Sequence, residues 1–181
     1  MAACCAAALL LLAPAVAPAL TAVPRPFAEL VQEAEVIVVA TVAGLESAWS
    51  ADGAAIHTTV RLVDLELIKG EVPAVPYELR LAGGVVGDTA QTYPGMPRLV
   101  AGERYLLFVR GNLREFFPLV GAYQGLYRVL TDADGESRVL RADRADSPVV
   151  RALMLPAQPT LAEFLARIQA EMRAAEPSPA P

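Results

Sequence analysis

The chain has 181 residues, 55% of them hydrophobic, with 20 acidic against 15 basic side chains and a net charge of −5. That length fits one domain plus short appended segments. An acidic chain with a single lysine, Lys69, excludes a nucleic-acid binder, which needs a basic face to neutralise phosphates.

The mean hydropathy of +0.41 is unevenly spread, because residues 1–24 carry no charge. An apolar run from Ala2 to Ala13 leads to Pro14 and Pro18, and Ala17-Pro18-Ala19 supplies the small residues that a signal peptidase reads. The run is shorter than the roughly 20 apolar residues of a spanning helix. Residues 1–22 are therefore expected to be an export signal, cut after Ala19 or Ala22, despite the lack of a basic residue ahead of the run. The expected location is periplasmic or secreted, with membrane attachment only if the segment is retained. Cys4 and Cys5 both lie inside it, so the exported chain is expected to have no disulfide and no cysteine-based metal or nucleophile site.

Residues 23–156 are read as one β domain. Pro26 opens a short helix with Phe27, Leu30 and Val31 on one side, ending near Glu35. Val36 to Leu45 is continuously apolar and β-branched, the pattern of a strand buried on both faces or lining a barrel. From Ala55 to Gly70 the chain alternates, but Ile56, Thr58, Val60 and Leu62 hold one phase and Val63, Leu65 and Leu67 the other. Such a phase change predicts a β-bulge in a long bent strand. Tyr77, Leu79 and Leu81 mark a half-buried strand. Further strands are expected within Val100–Arg110, Phe116–Val120, Gly125–Thr131 and Ser137–Arg141, the last entered through the tight turn Asp132–Gly135. The interleaved charges Arg141, Asp143, Arg144 and Asp146 suggest an exposed connector. Thr160 and Glu163 form a capping box ahead of Leu161, Phe164, Leu165, Ile168 and Met172, predicting an amphipathic helix over 157–174. The Pro-rich end, 175–181, is expected to be a disordered tail.

Together these elements predict a mainly β fold, a small OB-like antiparallel barrel flanked by a short N-terminal and an amphipathic C-terminal helix. Four segments, Glu35-Val-Ile-Val-Val-Ala-Thr-Val42, Leu67-Ile-Lys-Gly70, Gly102-Glu-Arg-Tyr-Leu-Leu-Phe108 and Gly125-Leu-Tyr-Arg-Val129, resemble a set of uncharacterised exported bacterial proteins. The resemblance covers Phe27 to Leu130 and includes Gly83-Gly84 with Gly87 and Pro94-Gly95-Met96-Pro97. It implies a genomic neighbour of the matrixin metalloprotease type. The strand order also resembles netrin-like domains, including the tissue inhibitors of metalloproteinases. Those inhibitors chelate zinc through an N-terminal cysteine, which the exported form of this chain would lack.

Catalytic signatures are sparse. His57 is the only histidine and has no cysteine outside the leader to partner it, so it reads as an exposed strand residue. Gly83-Gly84-Val-Val-Gly87-Asp88 lacks the Lys-Ser/Thr and the following helix of a phosphate loop. Asp132, Asp134 and Glu136 lack the spacing of a calcium loop. No Gly-x-Ser-x-Gly or Ser-x-x-Lys motif occurs. No cofactor or metal is therefore expected. The irregular stretch from Gly83 to Pro97, with four glycines and two prolines, is the candidate partner-binding loop: Gly83, Gly84, Gly87, Asp88, Tyr93, Pro94, Gly95, Met96 and Pro97. Trp49 is either a cap on the barrel or an aromatic anchor. The leading expectation is an exported, non-catalytic module that binds another exported protein, a matrixin-type metalloprotease being the named candidate. The alternatives are an envelope-associated scaffold held by an uncut leader, and a hydrolase using carboxylates such as Asp88 with Asp64 or Glu66.

Overall fold

The structure is a computed structural model that describes residues 23–145 and 147–175, so the leader and all of the tail beyond Ala175 lie outside the described residues. Six strands form one antiparallel sheet: β1 (Val36–Trp49), β2 (Ile56–Lys69), β3 (Tyr77–Ala82), β6 (Arg104–Val109), β7 (Leu126–Thr131) and β8 (Ser137–Arg141). Their spatial order is β3-β2-β1-β6-β7-β8. A separate hairpin, β4 (Gly84–Val86) with β5 (Thr89–Gln91), lies between β3 and β6 in the chain. The helices are α1 (Phe27–Glu33), α2 (Ala142–Ala145), α3 (Pro148–Met154) and α4 (Leu161–Ala175).

Tyr105–Val109 of β6 and the first half of β1, Val36–Val42, are buried on both faces apart from the half-buried Thr41, whereas Leu45, expected to be buried with them, is exposed on the far half of β1. Val36, Val38, Ala40 and Val42 of β1 join Tyr105 and Leu107 of β6 in an inner core that also takes Leu62, Leu79 and Leu126. The alternate residues Ile37, Val39, Leu106 and Phe108 point the other way, under α1 and α4. There Phe27 meets Phe108 and Phe164 edge-on at 6.2 and 5.2 Å, and Arg167 lies over the Phe27 ring at 4.1 Å. Each fully buried side chain of this kind contributes about 1.5–3 kcal/mol.

The bulge expected in β2 is present. Val39 pairs with Glu66 and Thr41 with Val63, so Asp64 and Leu65 together oppose Ala40. Asp64 takes the extra turn with φ +52°, a conformation that aspartate tolerates better than most residues. The slip lets Leu62 and Leu65 reach the same inner core although they are three residues apart.

The sheet is not closed, since β3 and β8 do not pair and each is an edge. The stretch Phe116–Val120, expected as a strand, contributes one isolated bridge, Val109 with Leu119. Gly111 and Leu113 ahead of it take φ +62° and +67°, which coils the chain into turns instead of extending it. The expected connector after β8 also differs: it folds into α2 and α3, with Ala142 and Ala145 buried. Small apolar residues let that turn pack close, a signal that the flanking charges hide.

At the ends the helices follow their sequence cues. The Thr160 N–H donates to Glu163 Oε2 at 2.8 Å and the Glu163 N–H to Thr160 Oγ1 at 3.2 Å. Leu161, Phe164 and Ile168 are buried, with Leu165 and Met172 packed beside them, and the helix runs on through Ala175. Lys69 closes α1 by donating its Nζ to the Val31 and Gln32 carbonyls at 2.7 and 3.0 Å. That half-buried seat pulls its amine below the ordinary lysine pKa.

Candidate functional site

The candidate loop is more ordered than its composition suggests. Val85 and Val86 pair with Ala90 and Thr89, so Gly87-Asp88 is a two-residue hairpin turn. The hairpin sits on the ribbon formed by the far ends of β1 and β2. Gly83 donates its N–H to the Ile56 carbonyl at 2.7 Å, and the Ile56 N–H donates to Gln91 Oε1 at 2.7 Å. Thr58 Oγ1 donates to the Gly83 carbonyl at 2.7 Å and shares a hydrogen bond with Ser47 Oγ at 2.9 Å. Gly84, at φ +142°, lies directly over these two hydroxyls, where a Cβ would meet both at 2.4 Å.

After the hairpin, Tyr93-Pro94-Gly95-Met96 makes a β-turn in which the Met96 N–H donates to the Tyr93 carbonyl at 3.1 Å. Gly95 supplies the positive φ of +80° that a turn with proline ahead of it demands. Met96 turns in against the inner core. Gly95, Met96 and Pro97 also form one wall of a cleft of about 210 Å³ opposite Tyr123 and Asp143. Gly83, Gly84 and Met96 thus hold the loop together, while Val85, Asp88 and Pro94 are exposed.

Tyr93 finds a partner that sequence reasoning missed. Its ring packs edge-on against Phe116 at 4.7 Å, and Phe116 against Phe117 at 5.0 Å. Phe116 stays 50% exposed and Leu113, three residues earlier, 68% exposed. Phe116 and Phe117 also line an open cleft of about 410 Å³ with Arg25 and Arg110. The segment 111–117 is fastened by charge. Glu35 accepts from the Gly111 N–H at 3.1 Å and pairs with Arg114, while Glu33 bridges Arg25 and Arg110. The Gly111 N–H, with Arg114 beside it, holds the Glu35 carboxyl below the ordinary carboxylate range. Contacts across roughly 75 residues leave no local pattern, but the run Leu113 to Phe117, with three apolar residues around Arg-Glu, was a visible hint.

The remaining candidates are dispersed. His57 lies half-buried on β2 between Ala48 and Ala82. Trp49 ends β1, 43% exposed. Glu66 is engaged by Arg104 at 3.3 Å, Asp64 occupies the bulge and Asp88 the hairpin turn. Asp132 serves its own turn, accepting from the N–H groups of Asp134 and Glu136 at 3.0 and 2.9 Å and pairing with Arg138. Among the described residues no group of three or more His, Cys, Asp or Glu side chains is placed to hold a metal ion. The buried polar network of the inner core joins Tyr105, Glu103 and Arg128. Tyr105 donates to Glu103 at 2.7 Å, and Arg128 Nη2 lies 2.7 Å from the same carboxylate. Burial, with the Glu103 carboxylate beside it, pushes the Tyr105 phenol up to about 12. No protein-family model, curated protein or solved structure matches the chain.

Proposed function

We propose that this chain is an exported, non-catalytic protein-binding domain of OB-like architecture, and that its contact surface is the rim where Tyr93 meets the 111–117 segment. The observation that carries the reading is Leu113. A leucine held at φ +67° costs on the order of 1–2 kcal/mol, yet its side chain faces solvent and contributes no core packing. Beside it Phe116 is half exposed and braced by Tyr93 and Phe117. Rigid aromatic and aliphatic groups presented this way are the usual anchors of protein interfaces. The OB-like reading is supported by the long, bulged β2, which pairs with both β1 and β3. Export is supported by the leader pattern and by the confinement of both cysteines to it.

The partner proposed is another exported protein, with a matrixin-type metalloprotease as the first candidate. The immobilised domain, incubated with an exported fraction, should enrich one protein that the variants Leu113→Asp and Phe116→Asp fail to enrich. If neither substitution changes what is captured, the rim is not the contact surface. If the wild-type domain captures nothing specific, the binding role falls with it.

A further inference from the structure

The two edges of the sheet are covered in different ways. Along β8 the backbone does it: the Val139 N–H donates to the Pro159 carbonyl at 3.1 Å, and Thr160 bridges Arg138. Along β3 one side chain does it. Asn112 Oδ1 accepts from the Arg80 N–H at 3.1 Å, and Asn112 Nδ2 donates to the Glu78 carbonyl at 2.7 Å and to the Tyr77 hydroxyl at 3.2 Å. A carboxamide offers the same donor and acceptor as a peptide unit, so Asn112 stands where a residue of a further strand would stand.

We propose that Asn112 masks a self-complementary edge: with Asn112 displaced, β3 pairs antiparallel with β3 of a second copy, and with Asn112 in place the chain is monomeric. The sequence of β3 carries the argument. The groups that Asn112 occupies, the Glu78 carbonyl and the Arg80 N–H, are the ones that a two-fold pairing centred on Leu79 would use. In that register Glu78 faces Arg80 of the second copy and Arg80 faces its Glu78, giving two reciprocal pairs of opposite charge. Both side chains are exposed, and among the described residues neither has an ion-pair partner. Leu79 then opposes Leu79, and Tyr77 opposes Leu81. The same operation on β8, centred on Val139, would set Arg138 against Leu140 and offers no such match. An exposed edge is a template for strand addition unless something blunts it, and here the blunting rests on one amide. The turn that carries it is held at Gly111 by Glu35, which fixes where the amide points. Asn112 belongs to the same 111–117 segment as the proposed contact rim. This inference rests on its bonds to β3 and not on Leu113 or Phe116, so it survives if the rim binds nothing.

The test is the oligomeric state of the full domain by sedimentation velocity across a concentration series. Wild type should sediment as a monomer, whereas Asn112→Ala should show a concentration-dependent doubling of apparent mass. Hydrogen exchange at the Arg80 amide should accelerate in the dilute variant and slow again as it dimerises. Adding Arg80→Glu to Asn112→Ala sets like charges opposite one another and should return the monomer. Adding Glu78→Arg as well should restore the dimer. If Asn112→Ala does not fold, Asn112→Asp keeps the shape, removes the donor to Glu78 and carries the same prediction. A variant that folds and stays monomeric at every concentration overturns the proposal, and so does a dimer indifferent to Arg80→Glu.

Discussion

Replacing Gly84 by alanine tests how the hairpin is seated. The new Cβ would lie 2.4 Å from both Ser47 Oγ and Thr58 Oγ1 and 2.9 Å from Ser47 Cβ, against an ordinary contact of about 3.5 Å. Neither hydroxyl is free to swing aside, because they bond each other and Thr58 also holds the Gly83 carbonyl. Relief means giving up those two bonds, about 0.5–1.5 kcal/mol each, in addition to about 1–3 kcal/mol for a side chain at φ +142°. The expected loss is about 2–6 kcal/mol, limited above by the energy of lifting the hairpin off the sheet. Gly87→Ala is the control. Its φ of +57° costs about 1–2 kcal/mol, and nothing lies within 4 Å of its Cβ. Urea unfolding followed through the one tryptophan, Trp49, two residues from Ser47 on β1, should place Gly84→Ala below Gly87→Ala, by about 2–3 kcal/mol at the centres of those ranges. If the hairpin lifts without global unfolding, limited proteolysis should cut between Gly83 and Gln91 faster in Gly84→Ala. Equal midpoints together with equal cleavage rates would refute the seating described here.

Other consequences can be measured on the same domain. Tyr105 is fully buried and ionises near 12 instead of 10, so its contribution is complete below pH 10 and is lost as pH rises through 12. At about 1.4 kcal/mol per unit, alkaline conditions should remove on the order of 3 kcal/mol at most in wild type and markedly less in Tyr105→Phe. Glu35 titrates below its ordinary 4.5, so its hold on Gly111 is intact above that pH and released as pH falls through the lower folded value. Exchange of the Gly111 amide, corrected for its intrinsic pH dependence, should rise in that acid window and should already be raised at neutral pH in Glu35→Gln. Ile168→Ala, fully buried under the sheet, should cost about 2–5 kcal/mol, and Thr160→Ala, which removes a cap, about 1 kcal/mol. Ile168→Ala proving milder than Thr160→Ala in urea would mean that α4 is not docked as described.

What could be read from the sequence was whatever neighbours in the chain determine together. The α4 helix is written in its capping box and stripe, and the bulge in β2 in the shift from Leu62 to Leu65, because both are periodicities of a single element. The two-sided burial of β6 and of β1 as far as Val42 matches their apolar runs, but the run in β1 continues to Leu45, which is exposed where the strand projects beyond the core. The β4–β5 hairpin was not anticipated: the stretch Gly83–Pro97 reads as irregular because its glycines and prolines obscure the short signal of Gly87-Asp88 between Val85-Val86 and Thr89-Ala90. The segment 111–117 was not legible. Its shape depends on Glu35 reaching Gly111, Asn112 reaching β3 and Tyr93 reaching Phe116, and no local rule couples residues so far apart. The strand expected at Phe116–Val120 does not form as such, because the left-handed residues at 111 and 113 coil the chain ahead of it.

The packing of Phe27 and Arg167 against one another joins the first and last helices of the folded body. A load applied through Val23 would first meet the Gln124 side chain, which accepts from the Arg25 N–H and donates to the Val23 carbonyl, and only then this pair of helices.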